Sequence, residues 1–541
     1  MRIRRIVRGG LLAAMAGVLC GPVQAVQRKA VIAHGWDTSA ASTEDVYRNR
    51  EKFAATGIDG IALPICAKRP DGTEVSGKNV MLGPVWSEGD FKETVSRLRA
   101  CTSCEGLKES LGLMLWTPRV RLDWKDDAAW ETFAANLAVF ARIAREGGLK
   151  GVTIDHEDYS GSRQFQIQAE DGDPLETAKR ARRRGRQIFK AFFAEFPDAR
   201  VLSFWMFSDS TSRKTITSRN PPAADVALGN LWSSFLNGMI DVMPAEARMI
   251  DGCETCGYLA EADKEDFRRY AWDMIRGSER LVASENRTKY RSVLSVSFGQ
   301  YLDKYINPES SRYYFGPHHG SRLAHLAENL SGALQIADDC IWLYGEKGTF
   351  IDWDRKHHKD LAFPTWESQL PGLGRILSVA AGKRDPALAT TKDLIDNPGC
   401  DGKGGKEIPA PFSKWTEEKN PPADLFLHDA TQGASKPGCL KLSGSGCFVV
   451  LAKGLESGDI VNVSVRTKGG RPIVNVGWTT DGSWRWELGC NYLTSGGSAA
   501  GWKELETSLI VPAGVNGVGL VLGGWVNGGE PVLFDDIHIR K

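Results

Sequence analysis

Between residues 26 and 385 the chain alternates short apolar runs with amphipathic helical stretches, and this alternation narrows the fold more than any other feature. The runs are Ala30–Ala33, Gly60–Pro64, Leu111–Trp116, Gly151–Ile154, Val201–Phe207, Met239–Met243, Val293–Phe298 and Cys340–Tyr344. Runs of this length, rich in branched and aromatic residues, suit strands buried on both faces. Helical stretches such as Ala128–Arg145, Pro174–Phe196 and Asp263–Arg276 lie between most of them. Eight strands with helical crossovers over about 360 residues match the count and length of an α/β fold of the (β/α)₈ TIM-type barrel class. In that architecture the C-terminal ends of the strands carry function. These ends are chemically rich here: His34-Gly35-Trp36-Asp37, Trp116-Thr117-Pro118-Arg119, Asp155 to Tyr159, Trp205-Met206-Phe207, Asp241, Gln300-Tyr301 and Trp342-Leu343-Tyr344-Gly345-Glu346.

After residue 385 the helical pattern stops. Gly, Ser, Thr and Asn rise, and short alternating runs follow one another: Cys447–Ala452, Ile460–Thr467, Ile473–Trp478, Glu504–Val511, Val518–Leu522 and Val532–Ile539. Strands at this spacing, with turn residues between them, predict a β-sandwich over 386–541.

The densest chemistry lies in Gly151-Val152-Thr153-Ile154-Asp155-His156-Glu157-Asp158-Tyr159. It reads as a strand ending in three carboxylates and a tyrosine. Asp155 and Glu157 are two apart, so an extended chain points them to the same side. Two acids brought together push their pKa values apart, and one then holds a proton while the other stays charged. Glycoside hydrolysis uses such a pair. Glu346 is the expected second carboxylate, with Asp241 behind it. Tyr159 is a stacking or hydrogen-bonding wall, and Asp158 a cap. His34, Trp36, Trp116, Trp205, Trp342 and Tyr344 complete the expected sugar-binding wall.

The segment Leu149 to Glu157 resembles the chitinase-type signature, a glycine-containing strand whose acids end in Asp-x-Glu. Asp155 and Glu157 match its last two acids, while Lys150 and Thr153 stand where that family has acids. The wider resemblance is to barrel glycosidases whose general acid is a glutamate at the end of the fourth strand; it implies Glu157 as proton donor, with Asp155 orienting it or steadying charge at the sugar. The C-terminal part resembles the jelly-roll carbohydrate-binding modules of secreted glycoside hydrolases. Asn397-Pro398-Gly399, Trp502-Lys503-Glu504-Leu505, Ile510-Val511-Pro512-Ala513-Gly514 and Val532-Leu533-Phe534-Asp535-Asp536-Ile537 carry that resemblance. It implies sugar binding by exposed aromatics, here Trp478, Trp484, Trp486 and Trp525. It also implies a structural calcium near Asp535 or Asp536, since that cation takes carboxylate oxygens. No cofactor for catalysis is implied.

Two other readings compete. Val31-Ile32-Ala33-His34-Gly35 and Gly57-Ile58-Asp59-Gly60-Ile61 echo glycerophosphodiester phosphodiesterases, which are metal-dependent barrels. Gly35 stands where that family has an arginine, and the second run ends in Leu63-Pro64-Ile65 without metal-binding acids. A non-catalytic secreted carbohydrate-binding protein is the other alternative.

The N-terminus predicts export. Arg2, Arg4, Arg5 and Arg8 precede the apolar run Leu11–Leu19, and Val23-Gln24-Ala25 resembles a cleavage site. A signal peptide over 1–25 places the protein in a periplasm or outside the cell. Its removal leaves 64 basic against 67 acidic residues, with no basic stripe for nucleic acid or anionic membranes. It also leaves ten cysteines. Cys101-x-x-Cys104 and Cys253-x-x-Cys256 have the spacing of zinc ligands and of local disulfides alike. Seventeen tryptophans suit stacking on the C–H faces of sugars as well as burial in a large core. The expected partner is a carbohydrate, with no membrane span; the oligomeric state is open.

Overall fold

A computed structural model describes residues 29–116, 120–208, 221–354, 361, 363–383, 391–495, 499–525 and 530–541. Segment 1–25, read as a signal peptide, and Thr117 to Arg119 lie outside the described residues. The chain divides into two compact units: Lys29–Pro317 with Gly332–Leu377, and His318–Ser331 with Ser378–Lys541. No described helix is long and apolar enough to cross a membrane.

The first unit is built on a curled sheet of nine parallel strands. They are β1 (Ala30–Ala33), β2 (Gly60–Pro64), β3 (Leu111–Leu115), β4 (Gly151–Asp155), β5 (Arg200–Ser203), β6 (Arg248–Asp251), β7 (Leu294–Val296), β8 (Gly299–Tyr301) and β9 (Cys340–Tyr344). Their order is β8-β9-β1-β2-β3-β4-β5-β6-β7. The strands at the two ends of this order are neighbours in sequence, separated only by Ser297 and Phe298. Backbone bonds continue across that gap: Ser297 N donates to Asp251 O at 3.1 Å, and Trp342 N to Phe298 O at 3.1 Å. Alternate residues, among them Ile32, Leu202, Ile250 and Trp342, form one apolar cluster on one side of the sheet.

Helices cover the other side. They include α1 (Thr43–Ala54), α2 (Lys92–Thr102), α3 (Asp127–Glu146), α4 (Pro174–Glu195) and α5 (Trp232–Val242). Local sequence starts them cleanly. Asp126 accepts from Ala129 N at 3.0 Å at the head of α3, and Asp173, followed by Pro174, accepts from Glu176 N at 2.9 Å.

The expected sixth strand is misplaced. Met239–Met243 reads as a strand because it is a short apolar run. In the structure it is the end of α5, because Trp232, Phe235, Leu236, Met239 and Ile240 repeat at helical spacing and are all buried. The crossing of α5 with α4 is close. A Cβ on Gly238 would stand 2.0 Å from Arg182 O, and one on Gly185 would stand 2.1 Å from Phe235 O. The strand follows at Arg248–Asp251. The expected helix Asp263–Arg276 is also broken, into a 3₁₀ turn, the helix Asp266–Trp272 and a π turn over Asp273–Gly277.

The second unit contains two antiparallel sheets. Its strands are β10 (Ser413–Trp415), β11 (Phe426–Asp429), β12 (Cys439–Leu442), β13 (Cys447–Lys453), β14 (Ile460–Gly469), β15 (Arg471–Thr480), β16 (Ser483–Trp484), β17 (Cys490–Thr494), β18 (Ala499–Ile510), β19 (Gly517–Trp525) and β20 (Val532–Arg540). One sheet runs β10-β13-β19-β15-β16, with β17 also on β15; the other runs β11-β12-β20-β14-β18. Val461, Val463 and Val465 of β14 and Val474, Val476 and Trp478 of β15 point into one shared core, as the two-residue period of a sandwich requires.

Candidate functional site

The strand ends of the first unit gather a cluster of acids and tyrosines. Asp155 ends β4 and is buried, and its Oδ1 accepts from the backbone N–H of Glu157 at 3.0 Å. The Tyr159 hydroxyl donates to Glu157 Oε2. Two strands away, β6 ends at Asp251 and the chain turns into α6 (Glu254–Leu259). Glu254 opens that helix with only 5% of its surface exposed. Tyr258 donates to its Oε1 at 2.9 Å, and its buried Oε2 has no partner among the described residues.

These acids act on one another. Burial, and then the charge of Glu157, push Asp155 up to about 7, against the pull of its hydrogen bonds from Glu157 N and Tyr159. Burial pushes Glu254 up to about 8, helped by the charges of Glu157, Asp155 and Glu346 and opposed by the Tyr258 bond. Burial and the same carboxylates also raise the Tyr159 and Tyr258 hydroxyls. Glu346, exposed just past β9, accepts from Tyr301 at 3.3 Å, and its N–H donates to buried Asp303 at 3.0 Å.

Aromatic rings form the floor. Trp342 is buried and stacks on Phe204 (4.7 Å, 5°) and on Tyr344 (4.7 Å, 24°). Its Nε1 donates to Gly252 O at 2.8 Å. His34, after β1, stands edge-on to Phe204 at 4.7 Å, and burial lowers its pKa to about 4. Its neighbours are rings. Among the described residues it belongs to no group of His, Cys, Asp and Glu placed to hold a metal.

On the other side of Glu157 lies a cavity of about 220 Å³, lined among others by Glu157, Asp158, Arg163, Trp205, Asn230 and Trp232. Trp205 is a half-buried wall of that cavity. His156 stacks on Trp232 at 4.0 Å, and burial lowers its pKa to about 3. Asp158 caps its own loop, accepting from Ser162 N at 3.0 Å and Arg163 N at 2.8 Å.

Four expected residues are corrected. Asp241 lies on α5, not at a strand end, and is held by Arg182 at 2.7 Å, Arg186 at 2.5 Å and Asn286 at 2.7 Å. Trp116 is 1% exposed among Phe133, Phe189, Trp232 and Phe235, so it borders the cavity only from beneath. Trp342, also expected as a sugar-binding ring, is 1% exposed between Phe204 and Tyr344 and supports the site from beneath, whereas Trp36 is 54% exposed on the short helix after β1. Trp478 points into the sandwich core at 4% exposure, because it shares the inward face of β15 with Val474 and Val476.

Glu254 is the acid the sequence reading missed, because the sixth strand was set too early. A signal was present. Met249-Ile250-Asp251 followed by Glu254 repeats the shape of Thr153-Ile154-Asp155 followed by Glu157: an apolar run that ends in one acid and turns into a second.

In the second unit, Trp484 and Trp486 stack on each other at 4.6 Å and remain half-buried. The side chain of Trp525 lies outside the described residues. Asp535 accepts from Ala434 N at 2.6 Å and from Asp536 N at 2.8 Å, and burial pushes it up to about 6. Asp536 accepts from the Ser435 hydroxyl at 2.5 Å and faces the Arg466 guanidinium at 3.8 Å. A guanidinium so close repels a divalent cation, so this donor set does not fit the implied calcium. A polar cavity of about 360 Å³ opens beside it, lined by Asn462, Ser464, Arg466, Glu504, His538 and Arg540 among others.

All ten described cysteines are free thiols. The two Cys-x-x-Cys pairs do not meet. Cys104 approaches Glu51, whereas Cys256 approaches Gly299 O at 3.7 Å.

No family model matches the chain, and no curated protein matches it. Solved structures similar to parts of it include the enzymatically active domain of tailspike protein 4 of bacteriophage CBA120. That likeness has 9% identity over 27% of this chain and 21% of that one, with a TM-score of 0.21. Another is TmCBM61 in complex with β-1,4-galactotriose, 15% identical over 28% of this chain and all of that one, TM-score 0.21. A third is the arabinose-bound MgGH51 α-L-arabinofuranosidase, 14% identical over 29% of this chain and 27% of that one, TM-score 0.22. The chain spans about a fifth of the tailspike domain and about a quarter of the arabinofuranosidase. Likenesses of this extent fix no activity, and the geometry of the site has to carry the functional argument.

Proposed function

We propose that this chain is an exported glycoside hydrolase whose parallel sheet closes as a (β/α)₈ barrel, with β7 and β8 as one interrupted strand. The observation that carries the reading is that acids following two strands, Asp155 and Glu157 at β4 and Glu254 after β6, feel one another's charge, with Asp155 pushed up to about 7 and Glu254 to about 8. A carboxyl that holds its proton at neutral pH beside carboxylates is the equipment for acid catalysis at a glycosidic oxygen.

The proton-donor role expected of Glu157 passes to Glu254, which is the more buried acid. Its Oε2 has no partner among the described residues, so its proton is not committed to another group. Glu157, steadied by the Tyr159 hydroxyl, faces the other side of the sugar as base or nucleophile. Asp155 orients Glu157 through its backbone N–H. Glu346 and Trp205 contact substrate on either flank, and Trp342 with Tyr344 forms the floor. The sandwich binds sugar through the polar cavity beside Arg466 and the Trp484–Trp486 pair.

The test is release of sugars from a panel of plant, microbial and host glycans by the full chain, beside Glu157→Gln and Glu254→Gln. Release abolished by either substitution supports the reading. No release from any glycan, with binding retained, makes the chain a carbohydrate-binding protein.

A further inference from the structure

Three hydroxyl donors of the mouth are already committed, and the buried Tyr344 hydroxyl is left without an acceptor among the described residues. Tyr159 gives its proton to Glu157, Tyr258 to Glu254, and Tyr301 to Asp303 at 3.0 Å. Neutral His34 gives a ring N–H to its own carbonyl, which leaves a buried Nε2 without a partner among the described residues. That nitrogen is an acceptor waiting for a donor.

Charge points the same way. Among the described residues, the charged neighbours that bear on Asp155, Glu254 and Tyr301 are carboxylates. Beside Glu346 and Glu254 the rings of Tyr258, Tyr301 and Tyr344 gather. Tyr258 and Tyr301 lie 5.0 Å apart, Tyr301 and Tyr344 5.0 Å, and Tyr258 and Tyr344 5.6 Å. Aromatic faces beside a carboxylate attract a cation twice, through the ring quadrupole and through the ion pair. A plain hexose would find acceptors here for its hydroxyl protons but few donors for its oxygens. An ammonium brings three donors and a positive charge.

We propose that the mouth selects a glycan bearing a free primary amine, an unacetylated amino sugar, whose ammonium sits between Glu346 and the faces of Tyr258, Tyr301 and Tyr344. The inference rests on the glycosidase reading above and names the substrate class for it. Glu346 then determines specificity, and Glu254 remains the proton donor.

The test uses the full chain carrying Glu157→Gln, titrated calorimetrically with glucosamine and galactosamine oligosaccharides and with their fully N-acetylated twins. The free-amine form of at least one sugar binds at least tenfold tighter at low salt. That advantage shrinks when ionic strength rises from about 20 to about 300 mM, because salt screens a partly exposed ion pair. Adding Glu346→Gln removes most of it. Equal or tighter binding of the N-acetylated twin overturns the inference, as does an advantage indifferent to both salt and Glu346→Gln. Wild-type release of sugar only from N-acetylated or neutral glycans overturns the amine preference and leaves the glycosidase reading standing. No release from any glycan overturns that reading and the inference with it.

Discussion

Asp241 and Glu254 lie thirteen residues apart and are both shielded from water, yet they have opposite fates. Asp241 sits in the helix layer between α4 and α5. Burial raises its pKa, but Arg182, Arg186 and Asn286 overcome that and hold it below the usual carboxylate range. Glu254 sits at the strand ends with one tyrosine and three like charges, and it is driven up to about 8. The first acid stabilises the fold and has nothing left to offer a ligand. The second is kept uncomfortable, and that discomfort is what lets it hold and release a proton near neutrality. An acid's job is decided by its neighbours, and the neighbours come from other parts of the chain.

The contrast can be broken by mutation. Glu254→Gln lowers turnover by roughly a hundred-fold to ten-thousand-fold, the usual range for a lost general acid, while the protein still folds. Steady-state sugar release with a melting curve checks both halves. Asp251 is a sharper case, since it ends the strand just before Glu254 but is fully employed. It accepts from the backbone N–H groups of Met206, Phe207 and Ser208 and from the Ser208 hydroxyl at 2.6 Å. Asp251→Ala therefore costs about 3 kcal/mol of stability by leaving those buried donors unpaired, read by denaturant unfolding. Asp241→Asn costs about 2 kcal/mol, because Arg182 and Arg186 lose their partner, and leaves turnover within about twofold. Its contribution is present above the unfolded carboxylate range and is lost as pH falls through the folded value.

Glu254 behaves with the opposite sign. Below about 4.5 both folded and unfolded chains hold its proton. Between there and about 8 the unfolded chain ionises more readily, so this group costs stability that grows with pH. Glu254→Gln should thus raise the unfolding free energy at pH 8 relative to the wild type, by up to about 4 kcal/mol, and change it little at pH 4. An equal effect at both pH values would mean that the acid is not displaced.

Much of this was legible in the sequence. β1 and β9 begin and end where their apolar runs do, and β4 delivers Asp155 and Glu157 to one place, because a short buried strand leaves few alternatives. The sixth strand was not legible, since Met239–Val242 is as apolar as a strand and only its helical phase with Trp232 and Phe235 betrays it. That slip hid Glu254 and promoted Asp241. The tryptophans show the same limit. Trp478 and Trp484 lie six residues apart, but only the two-residue phase of β15 and its pairing across the sandwich decide which one is core.

The most direct test is the pH dependence of kcat/KM for the wild type, Glu254→Gln and Asp241→Asn on a glycan the full chain cleaves. The account predicts a wild-type profile that falls as pH rises through about 8. It also predicts that this falling limb disappears, along with most of the activity, in Glu254→Gln and survives unchanged in Asp241→Asn. An intact limb and near-normal rates in Glu254→Gln would contradict the account, and so would loss of the limb in Asp241→Asn.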